Sequence, residues 1–176
     1  MDFSLTPLFG GDTGIAQTAS KIKDAVYYSL REPRQLIRKR AESLIRTSNI
    51  PERDELEEIK TLSRFVKDRF HYVRDPQGLE YVKSPEVIDE EISRYGEFIG
   101  DCDDASGYLA ALLKSLGYHV NLTVVADPRN TRQNFSHIFT RAYSPKLKRW
   151  ISLDMTAKGK PLGWNVTPSR MRSYDV

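Results

Sequence analysis

Gly100-Asp101-Cys102-Asp103-Asp104-Ala105-Ser106-Gly107-Tyr108-Leu109-Ala110-Ala111-Leu112-Leu113-Lys114-Ser115-Leu116-Gly117 decides the reading of this chain. Gly100 breaks the preceding segment, Asp101 is a good N-cap, and Gly117 is a stop signal, so the spacing predicts a helix over Asp101–Leu116. Ala105, Leu109, Leu112, Leu113 and Leu116 share one apolar face. Ala110 and Ala111 keep the opposite side small, which predicts a buried helix. The helix opens on Cys102, the one cysteine of the chain. A thiol at a helix N-terminus feels unpaired N–H groups and the positive end of the dipole, both of which favour thiolate. Asp101, expected to accept from the Asp104 N–H, joins Asp103 and Asp104 in opposing that effect. The cysteine therefore needs a cationic partner to act as a nucleophile.

Downstream, three strand-like runs cover Tyr118–Ala126, Asn134–Tyr143 and Arg149–Met155, with a polar loop over Ala126–Gln133. Phe135, His137 and Phe139 share one face of the second run. Trp150, Ser152 and Asp154 share one face of the third. A four-residue loop, Ser144-Pro145-Lys146-Leu147, would pair Tyr143 with Lys148, Phe139 with Ser152, and His137 with Asp154. An imidazole oriented by a carboxylate is the arrangement that activates a nucleophile. Taken singly, a lone Cys is more often a small buried hydrophobe, a lone His structural, and a strand-end Asp a cap. The order Cys at a helix start, then His, then Asp on adjoining strands favours a Cys102–His137–Asp154 triad. The aspartates do not follow the EF-hand spacing, so no metal is expected.

Upstream, residues 1–14 hold three glycines and a proline and read as an extended arm without a core of its own. Its Phe3, Leu5, Leu8 and Phe9 are expected to owe their order to another chain. Helices follow from about Ile15 to Leu30, from Pro33 through Leu44, and from Pro51 to Phe70. Asp75-Pro76-Gln77-Gly78 reads as a turn, and Ser84-Pro85 opens a short acidic helix ending near Tyr95-Gly96. Helices first and strands last give an α+β class with an antiparallel sheet. The division expected is 1–50 for the arm and first helices and 51–176 for the domain that holds the triad.

Composition narrows the function classes. The net charge is +3 from 27 basic and 24 acidic side chains, too small to imply nucleic acid. Arg31, Arg34, Arg38, Lys39, Arg40 and Arg46 concentrate on one segment and read as a solvated helix face. No apolar run approaches the roughly 18 residues of a membrane span, and the N-terminus lacks the pattern of a signal peptide. One cysteine permits neither an internal disulfide nor a cysteine zinc site.

The Gly100–Gly117 stretch resembles the nucleophile helix of the transglutaminase-like superfamily, which has a papain-type triad. Phe135-Ser136-His137-Ile138-Phe139 and Trp150-Ile151-Ser152-Leu153-Asp154 resemble its His and Asp strands. The resemblance spans roughly Phe65 to Gly163. It implies a nucleophile on a buried helix packed on an antiparallel sheet, and cofactor-free thioester chemistry on a protein or peptide substrate. The outcome implied is amide hydrolysis or acyl transfer. Members that only bind also exist, so a virion structural or assembly role is the alternative. Tyr72-Val73-Arg74-Asp75-Pro76, Gly78, Glu80 and Ser84-Pro85 are similar to the bacteriophage- and prophage-encoded members. That likeness implies the bacterial host cytoplasm or the virion as the setting, with virion proteins as partners of the arm. The family often has an aromatic or amide side chain helping the oxyanion hole, for which Tyr72, Tyr81 and Tyr95 are the candidates here.

Overall fold

The computed structural model describes residues 3–7, 11–51, 54–76, 79–126, 134–164 and 168–176. Within them the chain is α+β. It runs β1 (Phe3–Pro7), α1 (Gly11–Arg31), α2 (Leu36–Thr47), α3 (Glu55–Arg69), β2 (Phe70–Tyr72), β3 (Leu79–Lys83) and α4 (Pro85–Tyr95). Then come β4 (Phe98–Gly100), α5 (Cys102–Ser115), β5 (Val120–Ala126), β6 (Phe135–Ser144), β7 (Arg149–Leu153) and β8 (Arg170–Asp175). The main sheet is antiparallel in the order β7-β6-β5-β8. Among the described residues no helix is long and apolar enough to cross a membrane.

The predicted central helix is α5, and every residue from Asp103 to Leu113 is buried. Leu109, Leu112 and Leu113 are fully enclosed; burial of such a side chain contributes about 1.5–3 kcal/mol. As small Ala110 and Ala111 predict, it is packed all round, by α1, α2, α3 and α4 and by β6. Gly107 permits this, because a Cβ there would lie 3.0 Å from Ile22 Cγ2 of α1. Ala19, Ile22 and Val26 of α1 and Ile37 and Ala41 of α2 thus join the same buried cluster as the leucines of α5.

Several boundaries differ from the expected ones. Residues 3–7 are extended, but they pair antiparallel with Leu79–Lys83 of the same chain rather than with another. Thr18 Oγ1 of α1 donates to Glu80 Oε1 at 2.8 Å, tying α1 to β3 as well. Gly11–Gly14, assigned to the arm, begin α1. Neither Pro33 nor Pro51 opens its helix. The second starts at Leu36, after Gln35 in a left-handed conformation, and the third starts at Glu55 because Asp54 accepts from the Glu57 N–H. The fourth helix follows the expectation, capped by Ser84 and ended by left-handed Gly96. The expected turn Asp75–Gly78 includes Gln77 and Gly78, and the expected loop Ala126–Gln133 covers 127–133; these lie outside the described residues. Ala126 itself belongs to β5.

The hairpin forms, with a different register. Ser144 pairs with Arg149, Tyr143 with Trp150 and Arg141 with Ser152, so the loop is 145–148, not 144–147. Ser144 stays on the strand because its buried hydroxyl donates to Glu55 Oε1 of α3 at 2.6 Å. The same oxygen accepts from the Lys146 N–H at 2.8 Å. Lys148 closes the loop with φ +51°. The shift moves each pairing by two residues, which preserves the faces.

Candidate active site

Cys102 is the first residue of α5. Asp101 caps the helix as expected, but its Oδ1 accepts from the Asp103 N–H at 3.1 Å. The Asp104 N–H is taken by Asp103 Oδ1 at 2.7 Å. The first turn is fastened to β6 through Ser106. Its hydroxyl donates to Cys102 O at 2.5 Å and lies 3.2 Å from Ile138 O. Ser106 O in turn accepts from Thr140 Oγ1 at 2.8 Å. The turn that carries the thiol therefore sits against the strand segment that carries His137. The Ile138 N–H bears on the thiol in the direction that favours the anion.

The two-residue shift leaves His137 and Asp154 adjacent but diagonal, with Asp154 just past the end of β7. His137 Nε2 lies 2.9 Å from Asp154 Oδ2. The other carboxylate oxygen, Oδ1, accepts from the Thr156 N–H at 2.9 Å and from Thr156 Oγ1 at 2.7 Å. Burial works to raise the Asp154 carboxyl, but the bonds from His137 and Thr156 outweigh it and hold the group below its ordinary value. An ionised carboxylate accepts only, so Nε2 must carry the hydrogen, which leaves Nδ1 as the acceptor nitrogen of the neutral ring. The ring also lies against Phe139, with centroids 6.0 Å apart.

At the thiol, the opposition expected from the aspartates is joined by burial. Cys102 is half-buried, yet its sulfur is densely surrounded by protein. Burial first, then the charges of Asp101 and Asp103, push the thiol well above its ordinary value. The acidic cluster has a structure of its own. Burial, then a hydrogen-bonding Asp101 carboxylate, lift the Asp103 carboxyl far up. Asp103 Oδ2 is buried and has no hydrogen-bond partner among the described residues. The oxygens of Asp101, Asp103 and Asp104 come within 4.8 Å of one another. One oxygen of each is already committed to a backbone N–H, those of Asp103, Asp104 and Lys83 respectively.

Ser106, Thr140 and Thr156 escaped the sequence reading. Thr156 had a signal, since an Asp commonly accepts from the N–H two residues on. Ser106 and Thr140 had none, because their bonds run between elements distant in sequence. Of the tyrosines, Tyr72 pairs in register with Gly100, two residues before Cys102. Tyr95 ends α4 and is 72% exposed, and Tyr81 lies on β3.

No family model and no curated protein matches this sequence. Solved structures do match in fold. One is described as a "putative protease" from Parabacteroides distasonis ATCC 8503, at TM-score 0.53 and 11% identity. The match covers 78% of this chain and 26% of that one. Another is a "putative cysteine protease" from Cytophaga hutchinsonii, at TM-score 0.51 and 13% identity, covering 99% of this chain and 62% of that one. This chain thus spans about a quarter and under two thirds of those proteins. At such identities the likeness shows the fold, a cysteine-protease-like α+β arrangement.

Proposed function

We propose that the protein is a cysteine-dependent amidase or peptidase with Cys102 as nucleophile, His137 as acid–base and Asp154 as the orienting carboxylate. The observation that carries this reading is the 2.9 Å bond between His137 Nε2 and an Asp154 carboxylate fixed from behind by Thr156. That bond directs the unprotonated Nδ1 away from Asp154, and Ser106 ties the Cys102 turn to the same strand. Because burial and the neighbouring aspartates raise the thiol rather than lower it, Cys102 needs a base to become a nucleophile. His137 Nδ1 removes the thiol proton as Cys102 Sγ attacks the amide carbon, and the Cys102 N–H stabilises the oxyanion. The imidazolium returns that proton to the leaving amine. Water, deprotonated by His137, then resolves the thioester and restores the thiol. An amine in place of water would give acyl transfer through the same intermediate. The Tyr72–Pro85 likeness to phage-encoded members supports a phage setting for this chemistry.

The test is a peptide-amide library incubated with the protein and read by mass spectrometry. Hydrolysis adds water across an amide, whereas acyl transfer to an added primary amine exchanges ammonia for that amine. Cys102→Ala should abolish either product while leaving the fold intact. Product formation that survives Cys102→Ala would end this reading.

A further inference from the structure

A cavity of about 220 Å³ lies on the side of Asp154 that faces α3 and the segment from Ala157 to Trp164. Positions 60, 64 and 67 recur at helical spacing, so α3 presents Lys60, Arg64 and Lys67 to one wall. Lys160 and Trp164 form part of the opposite wall. Their charges are not equally compensated. Lys60 is matched by Glu57 at 2.5 Å. Lys67 Nζ donates to Ala157 O at 2.6 Å and to Lys160 O at 3.3 Å; neutral carbonyls orient an ammonium without cancelling it. Lys160 Nζ sits 5.4 Å above the Trp164 ring. Arg64 is exposed and has no carboxylate in ion-pair range among the described residues. Of the two acids on the lining, Asp154 is committed to His137 and Thr156, and Asp68 is exposed. Ser63, also on the lining, has a buried hydroxyl with no hydrogen-bond partner among the described residues.

A concave site with surplus positive charge, a guanidinium fork and an orphan hydroxyl suits an anion that accepts several hydrogen bonds. We propose that this cavity binds a small oxyanion, a carboxylate or phosphate group, held by Arg64, Lys67 and Lys160. The volume admits one such group with little more attached. Two sources share this chemistry: an acidic group carried on a peptide, and free phosphate. The proposal stands apart from the hydrolytic reading, since none of these cations takes part in it.

The experiment is calorimetric titration of the full chain with inorganic phosphate and, separately, with N-acetylaspartate, at constant ionic strength. Saturable binding of either is expected. Arg64→Gln and Lys160→Gln, both at exposed positions, should each weaken it roughly tenfold through loss of a charged hydrogen bond. Cys102→Ala should leave it unchanged. Tighter binding of phosphate would identify free phosphate as the source, and tighter binding of N-acetylaspartate an acidic peptide group. Urea midpoints of the variants, expected to equal that of the parent, separate lost binding from lost folding. Absence of saturable heat with both probes, or parental affinity in both variants, would overturn the proposal whatever the outcome at Cys102.

Discussion

Replacing Gly100 by alanine tests how the nucleophile is set in place. Gly100 ends β4 one residue before the helix cap, and the Val73 N–H donates to its carbonyl at 2.7 Å. Its φ lies outside the left-handed region, so space alone is at issue. An added Cβ would lie 2.4 Å from Asp104 Oδ2 and 2.9 Å from Asp104 Cβ. That carboxylate cannot swing away freely, because its Oδ1 accepts from the Lys83 N–H at 2.8 Å. If Asp104 holds its place, overpacking costs about 1–3 kcal/mol. If it moves, the Lys83 N–H is left without its partner, at about 1–3 kcal/mol. Either route lowers the thermal midpoint by roughly 2–12 °C for a chain of this size. Circular dichroism melts and urea titrations would measure it. In an Asp104→Ala background the same change should cost less, since the nearest contact is gone. A Gly100→Ala midpoint within about 1 °C of the parent would fall below any of these costs and refute the reasoning.

Asp104 also makes stability depend on pH. Burial, ahead of neighbouring carboxylates and against the Lys83 N–H, lifts its carboxyl to about 7. The unfolded chain releases that proton near pH 3.9, so the fold binds more protons between those values and loses stability as pH rises from about 4 to about 7. The loss from this group is on the order of 4 kcal/mol, and Asp104→Asn should flatten that slope in urea titrations; an unchanged slope would contradict the assignment. Asp154 works in the opposite sense, contributing stability above its unfolded value that disappears as pH falls through its lowered folded value. Asp154→Asn should remove that acid-side loss. It should also cut turnover by roughly 10²–10⁴-fold, because the imidazolium loses its counter-charge. Thr156→Val keeps the N–H bond to Asp154 and removes only the hydroxyl, so a fall of about tenfold is expected, and a fall as large as that of Asp154→Asn would assign Thr156 a role of its own.

The parts of this fold that were legible are those written locally. Apolar spacing and flanking glycines mark α5, and Ser84-Pro85 with Gly96 marks α4. Alternation places His137 and Asp154 on the same face for any register shift of an even number of residues. The two-residue register shift was not legible, because it depends on Ser144 reaching Glu55, a contact across 89 positions. The weak β8 pattern, Arg170-Met171-Arg172-Ser173-Tyr174-Asp175, lacks an apolar face and becomes a strand by pairing with β5. The enclosure of the Cys102 sulfur was not legible for a similar reason: helix placement and the flanking aspartates are visible in sequence, whereas the packing around the thiol is not.

Alkylation of Cys102 by iodoacetamide across pH, in the parent and in His137→Ala, tests the central claim most directly. If His137 is the base for a neutral thiol, the parent reacts faster near pH 7 by roughly 10²-fold or more. The two curves should converge at high pH, where the thiol ionises unaided. Superimposed curves over the whole range would show that His137 does not act on Cys102, and the triad would be contradicted.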